Sequence, residues 1–488
     1  MHLINPAQHS RRAFLRRTGQ LAMAGTALPF ALNLAAMGEA AAQAAPGDDY
    51  KALVCVFLFG GNDYANTLVN YDADSYAKYS AIRGAIALPS DAALAATELK
   101  PAVSLANGRK YALNPAMTKL ATLFDEGRMA VQLNVGPLVK PLTRAQFNSS
   151  NRKDFPIPPK LFSHNDQQSI WQSSSPEGST IGWGGNLGDL MLAGQRNASL
   201  FTCVSVAGNA VFLSGDEALQ YQVGTRGAVR INSVSSATGN VYGSSAVKAA
   251  MQQLAQQARS HTLENEYNKV TLRAVEAEGK ITTAIQPDDL NGNFPTGNNL
   301  ADQLKMVARL IRGRTSLGVK RQVFFVSMGG YDLHDDLDTK QGGLMLRLSE
   351  AMFAFQRQME TLGISDKVTA FTASDFGRTL SSNGNGSDHG WGSHHFVVGG
   401  VNAVKGKAFY GTPPPVSIGN TAADDDQWHV GQGRLLPTTS VDQYAATLAK
   451  WFGVPDADLN GILPNLKNFN NVTAPSGISY PRDMGFMT

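Results

Sequence analysis

The chain has 488 residues, 43% of them hydrophobic and 17% charged, with a formal charge of +3. That length can bury a large core, as one big α/β domain or two smaller ones. The excess charge lies in the first 44 residues: removing Arg11, Arg12, Arg16, Arg17 and Glu39 from 42 basic and 39 acidic residues leaves 38 of each, which gives no electrostatic reason to expect a nucleic-acid partner.

The amino terminus reads Ser10-Arg11-Arg12-Ala13-Phe14-Leu15, followed by an uncharged stretch from Thr18 to Gly38 and an A-x-A exit at Ala42-Gln43-Ala44. This is the pattern of a twin-arginine signal peptide over residues 1–44, with the twin-arginine translocase as transient partner. The expected location is periplasmic or secreted. Gly25, Pro29 and Asn33 interrupt the apolar stretch, which argues against a retained anchor, and Ala52–Phe59 is only strand-length, so no stable membrane span is expected. Residues 45–488 are read as the working domain.

Residues 51–59, KALVCVFLF, form a continuous apolar run that stops at Gly60-Gly61-Asn62-Asp63. Such a run predicts a strand buried on both faces. Similar strands are predicted at Met129–Val135, Leu200–Val206, Gln322–Met328, Val368–Ala373 and Phe396–Val398. Helical spacing joins Leu344, Leu348, Met352, Phe355, Met359 and Leu362. At the carboxyl-terminal side, Ser440 and Gln443 form a capping box, Val441, Tyr444, Leu448 and Phe452 the apolar face, and Gly453 the stop.

Strands alternating with helices predict a mostly parallel central sheet sandwiched by helices, with ligands gathered at the strands' carboxyl ends. Asp63, Asp332 and Asp375 all fall at such ends. Residues 208–300 differ: a Gly/Ser-rich stretch around 232–246 precedes a long polar helix near 247–285, read as an inserted cap or flank. Cys55 and Cys203 both fall in predicted buried strands, where they either pair or remain core thiols.

Histidine placement points to chemistry. Seven histidines follow residue 44, and four of them, His334, His389, His394 and His395, share a stretch with Asp332, Asp335, Asp336, Asp375 and Asp388. Imidazole with carboxylate is the ligand set of zinc, manganese or iron. Neighbours on a strand point to opposite faces, so one of His394 and His395 is expected to ligate, not both. Each lone aspartate could equally be a turn former or helix cap. The sequence has no G-x-S-x-G elbow, no G-x-G-x-x-G after a strand, no Walker-type lysine loop and no C-x-x-C.

Several segments resemble the twin-arginine-exported proteins grouped as domain of unknown function 1501, within the alkaline phosphatase and sulfatase superfamily. They are residues 57–67, Ser163-His164 with Trp171, Ile181-Gly182-Trp183, Gly329–His334, Ser374–Thr379, Asp388–Phe396 and Leu435–Tyr444, in that order along nearly all of the chain after the leader. The resemblance implies an alkaline phosphatase-like fold and one or two divalent ions, zinc or manganese. The implied ligands are Asp63, Asp332 with His334, Asp375, and His389 with His394 or His395. It puts Ser163 or His164 where the superfamily places its nucleophile, with Thr67 second. Arg378 is read either as an anion-binding group or as a surface or helix-capping arginine. Where the superfamily has Asp-His this chain has Asp375-Phe376, which points toward a single ion, and Ser163 lacks the C-x-P-S-R context of formylglycine. The implied activity is hydrolysis of a small or polymeric phosphate or sulfate ester. The alternative is a non-catalytic, metal-stabilised binding protein that uses the same cleft.

Overall fold

The computed structural model describes residues 49–193, 200–231, 233–235, 239–290, 294–473 and 477–488, so the predicted leader at 1–44 lies outside the described residues. Every apolar run read as a strand is one, with adjusted ends. The main-sheet strands are β1 (Lys51–Leu58), β2 (Met129–Gly136), β3 (Cys203–Ser205), β4 (Gln220–Gly224), β5 (Gly227–Ala228), β6 (Arg321–Met328), β7 (Val368–Ser374), β8 (Ser393–Gly399), β9 (Ala408–Tyr410) and β10 (Thr439–Ser440). They lie in the order β9-β2-β8-β7-β1-β6-β3-β4-β5, with β10 beside β2.

The centre is parallel: β1 pairs in register with β7 on one side and β6 on the other. β8 runs antiparallel between β7 and β2, and β5 antiparallel to β4. The fold is therefore α/β with a large mixed, mostly parallel sheet. Alternate residues of β1 enter different cores. Ala52, Val54, Val56 and Leu58 pack on one face, Leu53, Cys55 and Phe57 on the other, which explains why the run is apolar throughout.

The helices that matter below are α1 (Ala73–Arg83), α2 (His164–Ser173), α3 (Trp183–Ala193), α4 (Ser245–Gln256), α5 (Thr262–Ala284), α6 (Asn299–Arg312), α7 (Leu337–Thr361) and α8 (Val441–Phe452). Buried residues of α6 and α7 join the first core, and those of α3 and α8 the second. The capping box of α8 is formed as read: Ser440 accepts from the Gln443 amide, Gln443 from that of Ser440, and Gly453 ends the helix at φ 112°.

One reading needs correction, and one open alternative closes. The single polar helix expected near 247–285 is two helices, α4 and α5, while β4 and β5 of the same segment extend the edge of the sheet. Cys55 and Cys203 are buried free thiols. They stand on β1 and β3 with β6 between them and are offset by two residues along it, so the two strand spacings alone put them at least about 9–10 Å apart, too far for a disulfide. Burial pushes the Cys203 thiol up to about 12.

Candidate metal centre

Because β1, β6 and β7 are adjacent and parallel, their carboxyl ends deliver Gly60–Asp63, Gly329–His334 and Asp375–Arg378 to one edge of the sheet. Close approach of these loops needs two glycines. Gly60 (φ +117°) and Gly61 (φ +82°) occupy the left-handed half of conformational space. A Cβ on Gly60 would lie 2.4 Å from the Asp332 nitrogen, and one on Gly61 2.4 Å from the Phe376 ring.

His164, Asp332 and His389 each bring a ligating atom to within 4.8 Å of the others. Asp332 is the hub. Its Oδ1 lies 3.1 Å from His334 Nε2 and 3.2 Å from His389 Nε2, and its Oδ2 lies 3.4 Å from His164 Nε2. His334 Nε2 and His389 Nε2 are 2.9 Å apart.

The other nitrogen of each ring explains this convergence. His389 Nδ1 is 2.8 Å from the Phe162 carbonyl oxygen. A carbonyl only accepts, so Nδ1 carries the proton and Nε2 of the neutral ring is a bare lone pair. His164 Nδ1 meets the Asp375 carboxylate at 2.7 Å, and His334 Nδ1 meets Asp388 at 3.1 Å. All three imidazoles therefore turn Nε2 toward Asp332, each steered by an oxygen behind it, as in carboxylate–histidine–metal arrangements. Lone pairs facing each other at 2.9 Å repel unless a cation or a proton lies between them. Three imidazole nitrogens and one carboxylate suit zinc, manganese or iron, so the residues present fit a divalent ion.

The groups behind the rings are themselves held in place by burial and hydrogen bonds. Asp375 is fully buried and also accepts from the Gly60 amide at 3.2 Å and Gln168 Nε2 at 2.8 Å. Phe162 holds a left-handed φ of 73°, a conformation that costs a bulky residue on the order of 1–3 kcal/mol and here aims its carbonyl at His389. The Phe376 ring lies 4.9 Å from His164 and 4.7 Å from His389, centroid to centroid. Burial alone would raise the Asp332 carboxyl, but the hydrogen bond and charge of Arg378, with His164 and His334, bring it below the usual carboxylate range. His164 is shifted up, chiefly by its hydrogen bond to Asp375. His389 is shifted down by desolvation, which favours the neutral, ligating form.

A family model described as Protein of unknown function (DUF1501) matches residues 50–453. The chain belongs to that family. A search of curated proteins returned no match.

Other candidates in this DUF1501 chain are placed differently from the sequence reading. Asp63 is 2% exposed, and both oxygens are engaged: Oδ1 accepts from the Asn66 amide at 2.9 Å, Oδ2 from Arg83 at 2.9 Å and Ser387 Oγ at 2.7 Å. It caps the helical turn Tyr64–Thr67 and pairs with Arg83, so both of its oxygens are engaged within the fold. Asp375 supports His164 and does not itself face Asp332. His394 and His395 are both buried, on opposite faces of β8. His394 accepts from the Asn134 amide and lies edge-on to Tyr64, whereas His395 packs on Trp171. Desolvation pushes each down to about 3.

The expected catalytic residues shift as well. His164 joins the ligating cluster and is not placed as a nucleophile. Ser163 donates its hydroxyl to Asp166 at 2.9 Å. Thr67 is buried, its single hydroxyl proton shared between the Asp63 carbonyl at 2.7 Å and Asn62 Oδ1 at 2.9 Å while its oxygen accepts from Gln341 Nε2 at 3.2 Å. Arg378 is fully buried; it donates to Asp332 at 2.8 Å and to the Gly60 carbonyl at 2.9 Å, so it positions a ligand and is not open to an anion. Sequence reasoning missed Gln168 and Phe162. Gln168 had a signal, since it lies one helical turn after His164 on the same face of α2; Phe162 acts through its backbone and left none.

Proposed function

We propose that this DUF1501 protein is an exported hydrolase of phosphate or sulfate esters, built on an alkaline phosphatase-like fold and working with one divalent ion, zinc or manganese. His164, Asp332, His334 and His389 would hold the ion. The observation that carries this reading is the convergence of three oxygen-steered Nε2 atoms on one carboxylate, at the edge of a parallel sheet where such folds bind ligands. A bound ion there supplies a Lewis acid that polarises the ester and lowers the pKa of attacking water.

The protein's own groups do the rest. Three neutral imidazoles and one carboxylate carry a single negative charge as a ligand set, so a divalent ion held there would keep a net positive charge toward an anionic ester. Asp375, Asp388 and the Phe162 carbonyl hold the rings in the ligating tautomer. The engagement of Thr67 and Ser163 elsewhere supports water as the nucleophile, and the closed environment of Asp63 supports one ion. The paired arginines Arg11 and Arg12 and the apolar stretch behind them support twin-arginine export to the periplasm or beyond. Among the described residues no helix is long and apolar enough to cross a membrane.

A second reading, a non-catalytic protein that uses the metal for stability and the cleft for binding, is favoured by Phe376 standing where superfamily members carry a histidine. A screen of phosphate and sulfate monoesters with metal-loaded protein separates the two. Hydrolysis that falls at least about 100-fold in His389→Ala, as expected for loss of a ligand to the activating ion, supports the hydrolase. A blank screen from protein that retains its metal supports the binding protein.

A further inference from the structure

Arg434 sits beside the histidine cluster on a firmly held turn. His429 and Leu435, on either side of that turn, pair as an antiparallel bridge. Within it the Val430 amide donates to the Arg434 carbonyl and the Arg434 amide to that of Gly431, both at 2.9 Å. The turn is also tied to the segments that follow Asp63 and Arg378. The buried Tyr64 hydroxyl donates to the Gly433 carbonyl at 2.9 Å, and the Leu380 and Ser381 amides donate to the Gln432 carbonyl at 3.1 and 3.2 Å.

From that turn the side chain reaches back to the cluster. Its Nε donates to the His389 carbonyl at 2.7 Å, and the guanidinium lies over the Phe162 ring, 5.3 Å from its centroid. His389 brings its Nε2 to the cluster, and Phe162 supplies the carbonyl that sets the His389 tautomer. The guanidinium therefore rests on the same two residues that shape one side of the site. An arginine carries five N–H donors in one plane, and one of them is used on His389. Nη1 and Nη2 make no hydrogen bond or ion pair among the described residues, and Arg434 is partly exposed. Desolvation pushes its pKa down, opposed by the charge of Asp388; a partly desolvated cation without a full partner is stabilised by an anion that reaches it. Neighbouring cations are already engaged. Arg378 is buried on Asp332 and the Gly60 carbonyl, Arg83 on Asp63, and Lys160 lies 3.5 Å from Asp166.

We propose that Arg434 is the residue that grips the substrate's tetrahedral oxyanion and makes the site select monoesters over diesters. This rests on the one-ion ester-hydrolase reading given above and names the substrate class of that same site. A guanidinium presents two N–H donors side by side, a fork that matches two oxygens of one phosphate or sulfate group. A monoester has three non-bridging oxygens, enough for the ion and both tines of the fork. A phosphodiester has two, so one tine is left without an acceptor, and an unmet donor in a partly desolvated site costs affinity. The Nε bond to His389 fixes the plane of the fork beforehand, which reduces the side-chain freedom lost on binding.

The test is calorimetric titration of inorganic phosphate, inorganic sulfate and dimethyl phosphate into zinc-loaded protein, for wild type, Arg434→Gln and Arg434→Lys, with zinc content measured on the same samples. Wild type is expected to bind phosphate or sulfate at least about tenfold more tightly than dimethyl phosphate, and the tighter of the two tells which ester the site serves. Arg434→Gln keeps its zinc and loses about 10- to 100-fold in affinity for that anion, the worth of a charge-assisted hydrogen-bonded pair. Arg434→Lys keeps the charge without the fork, so it recovers part of the affinity but not the preference over dimethyl phosphate. An affinity unchanged within threefold in zinc-loaded Arg434→Gln overturns the proposal and leaves the hydrolase reading standing. So does a zinc-loaded wild type that binds none of the three anions, or that binds dimethyl phosphate as tightly as the others. Loss of zinc from Arg434→Gln would make the arginine a support of His389 and also overturns the proposal. A wild type that holds no zinc overturns the hydrolase reading and this inference with it.

Discussion

Asp63 and Asp332 follow neighbouring parallel strands, and each meets an arginine, Asp63 with Arg83 at 2.9 Å and Asp332 with Arg378 at 2.8 Å. Both arginines are fully buried, but the carboxylates differ: the Asp63 side chain is 1% exposed and that of Asp332 is 45% exposed. Around Asp63 three donors of the protein, the Asn66 amide, Arg83 and Ser387, engage both oxygens, and the ion pair holds α1 and the Ser387 loop against the sheet. Around Asp332 one arginine steadies the carboxylate, while its remaining acceptor sites face three histidines whose own protons are held on the far side. A carboxylate at a strand end becomes a ligand only when the fold orients it without saturating it.

The largest effect expected from breaking this contrast is on stability. Asp63→Ala strands Arg83 in the interior and costs about 3–5 kcal/mol, read as a shift of the chemical denaturation midpoint. Asp332→Asn keeps an acceptor for Arg378 and costs less than about 1 kcal/mol in the same measurement. Equal losses would mean that the two pairs play the same structural role.

A group behind the cluster comes next. Asp375→Asn weakens the acceptor that fixes the His164 tautomer, and metal affinity falls about 10- to 100-fold, measurable by competition with a chelating dye. An affinity unchanged within threefold would remove His164 from the ligand set.

Asp442 supplies a third environment, a buried carboxylate that accepts from the Asn465 amide at 3.0 Å. Burial raises it to about 6 from 3.8. Between those values the folded state binds more protons than the unfolded chain, so the contribution of this group is full below pH 4 and is lost as pH rises through 6. The loss is on the order of 1–3 kcal/mol, and Asp442→Asn removes it. Denaturation midpoints at pH 4.5 and 7.5 for the two proteins should differ in that sense; parallel pH profiles would contradict it.

The sequence made the sheet legible because central parallel strands must be apolar on both faces, and the runs at 51–59, 322–328 and 368–373 can be little else. It also placed three aspartates at one edge. It could not rank them, because the partners that close off Asp63, namely Arg83 and Ser387, come from distant segments without a pattern of their own. Strand alternation placed His394 and His395 on opposite faces, but in a sheet covered on both sides neither face is open. The family resemblance puts His164 among the nucleophile candidates, and nothing in the sequence ties it to the other histidines; the packing of α2 brings its Nδ1 to Asp375 and its Nε2 toward Asp332. The α4–α5 segment was read as one helix because its polar composition masks the break at residues 257–261.

The most direct test of the central claim is metal content after loading with zinc or manganese and removal of free ion, for wild type and Asp332→Asn. One equivalent in the wild type, and under one tenth of that in a folded Asp332→Asn, is what a four-ligand site of three histidines converging on Asp332 requires. No bound metal in the wild type, or equal metal in both proteins, would contradict the assignment of this cluster as a metal centre.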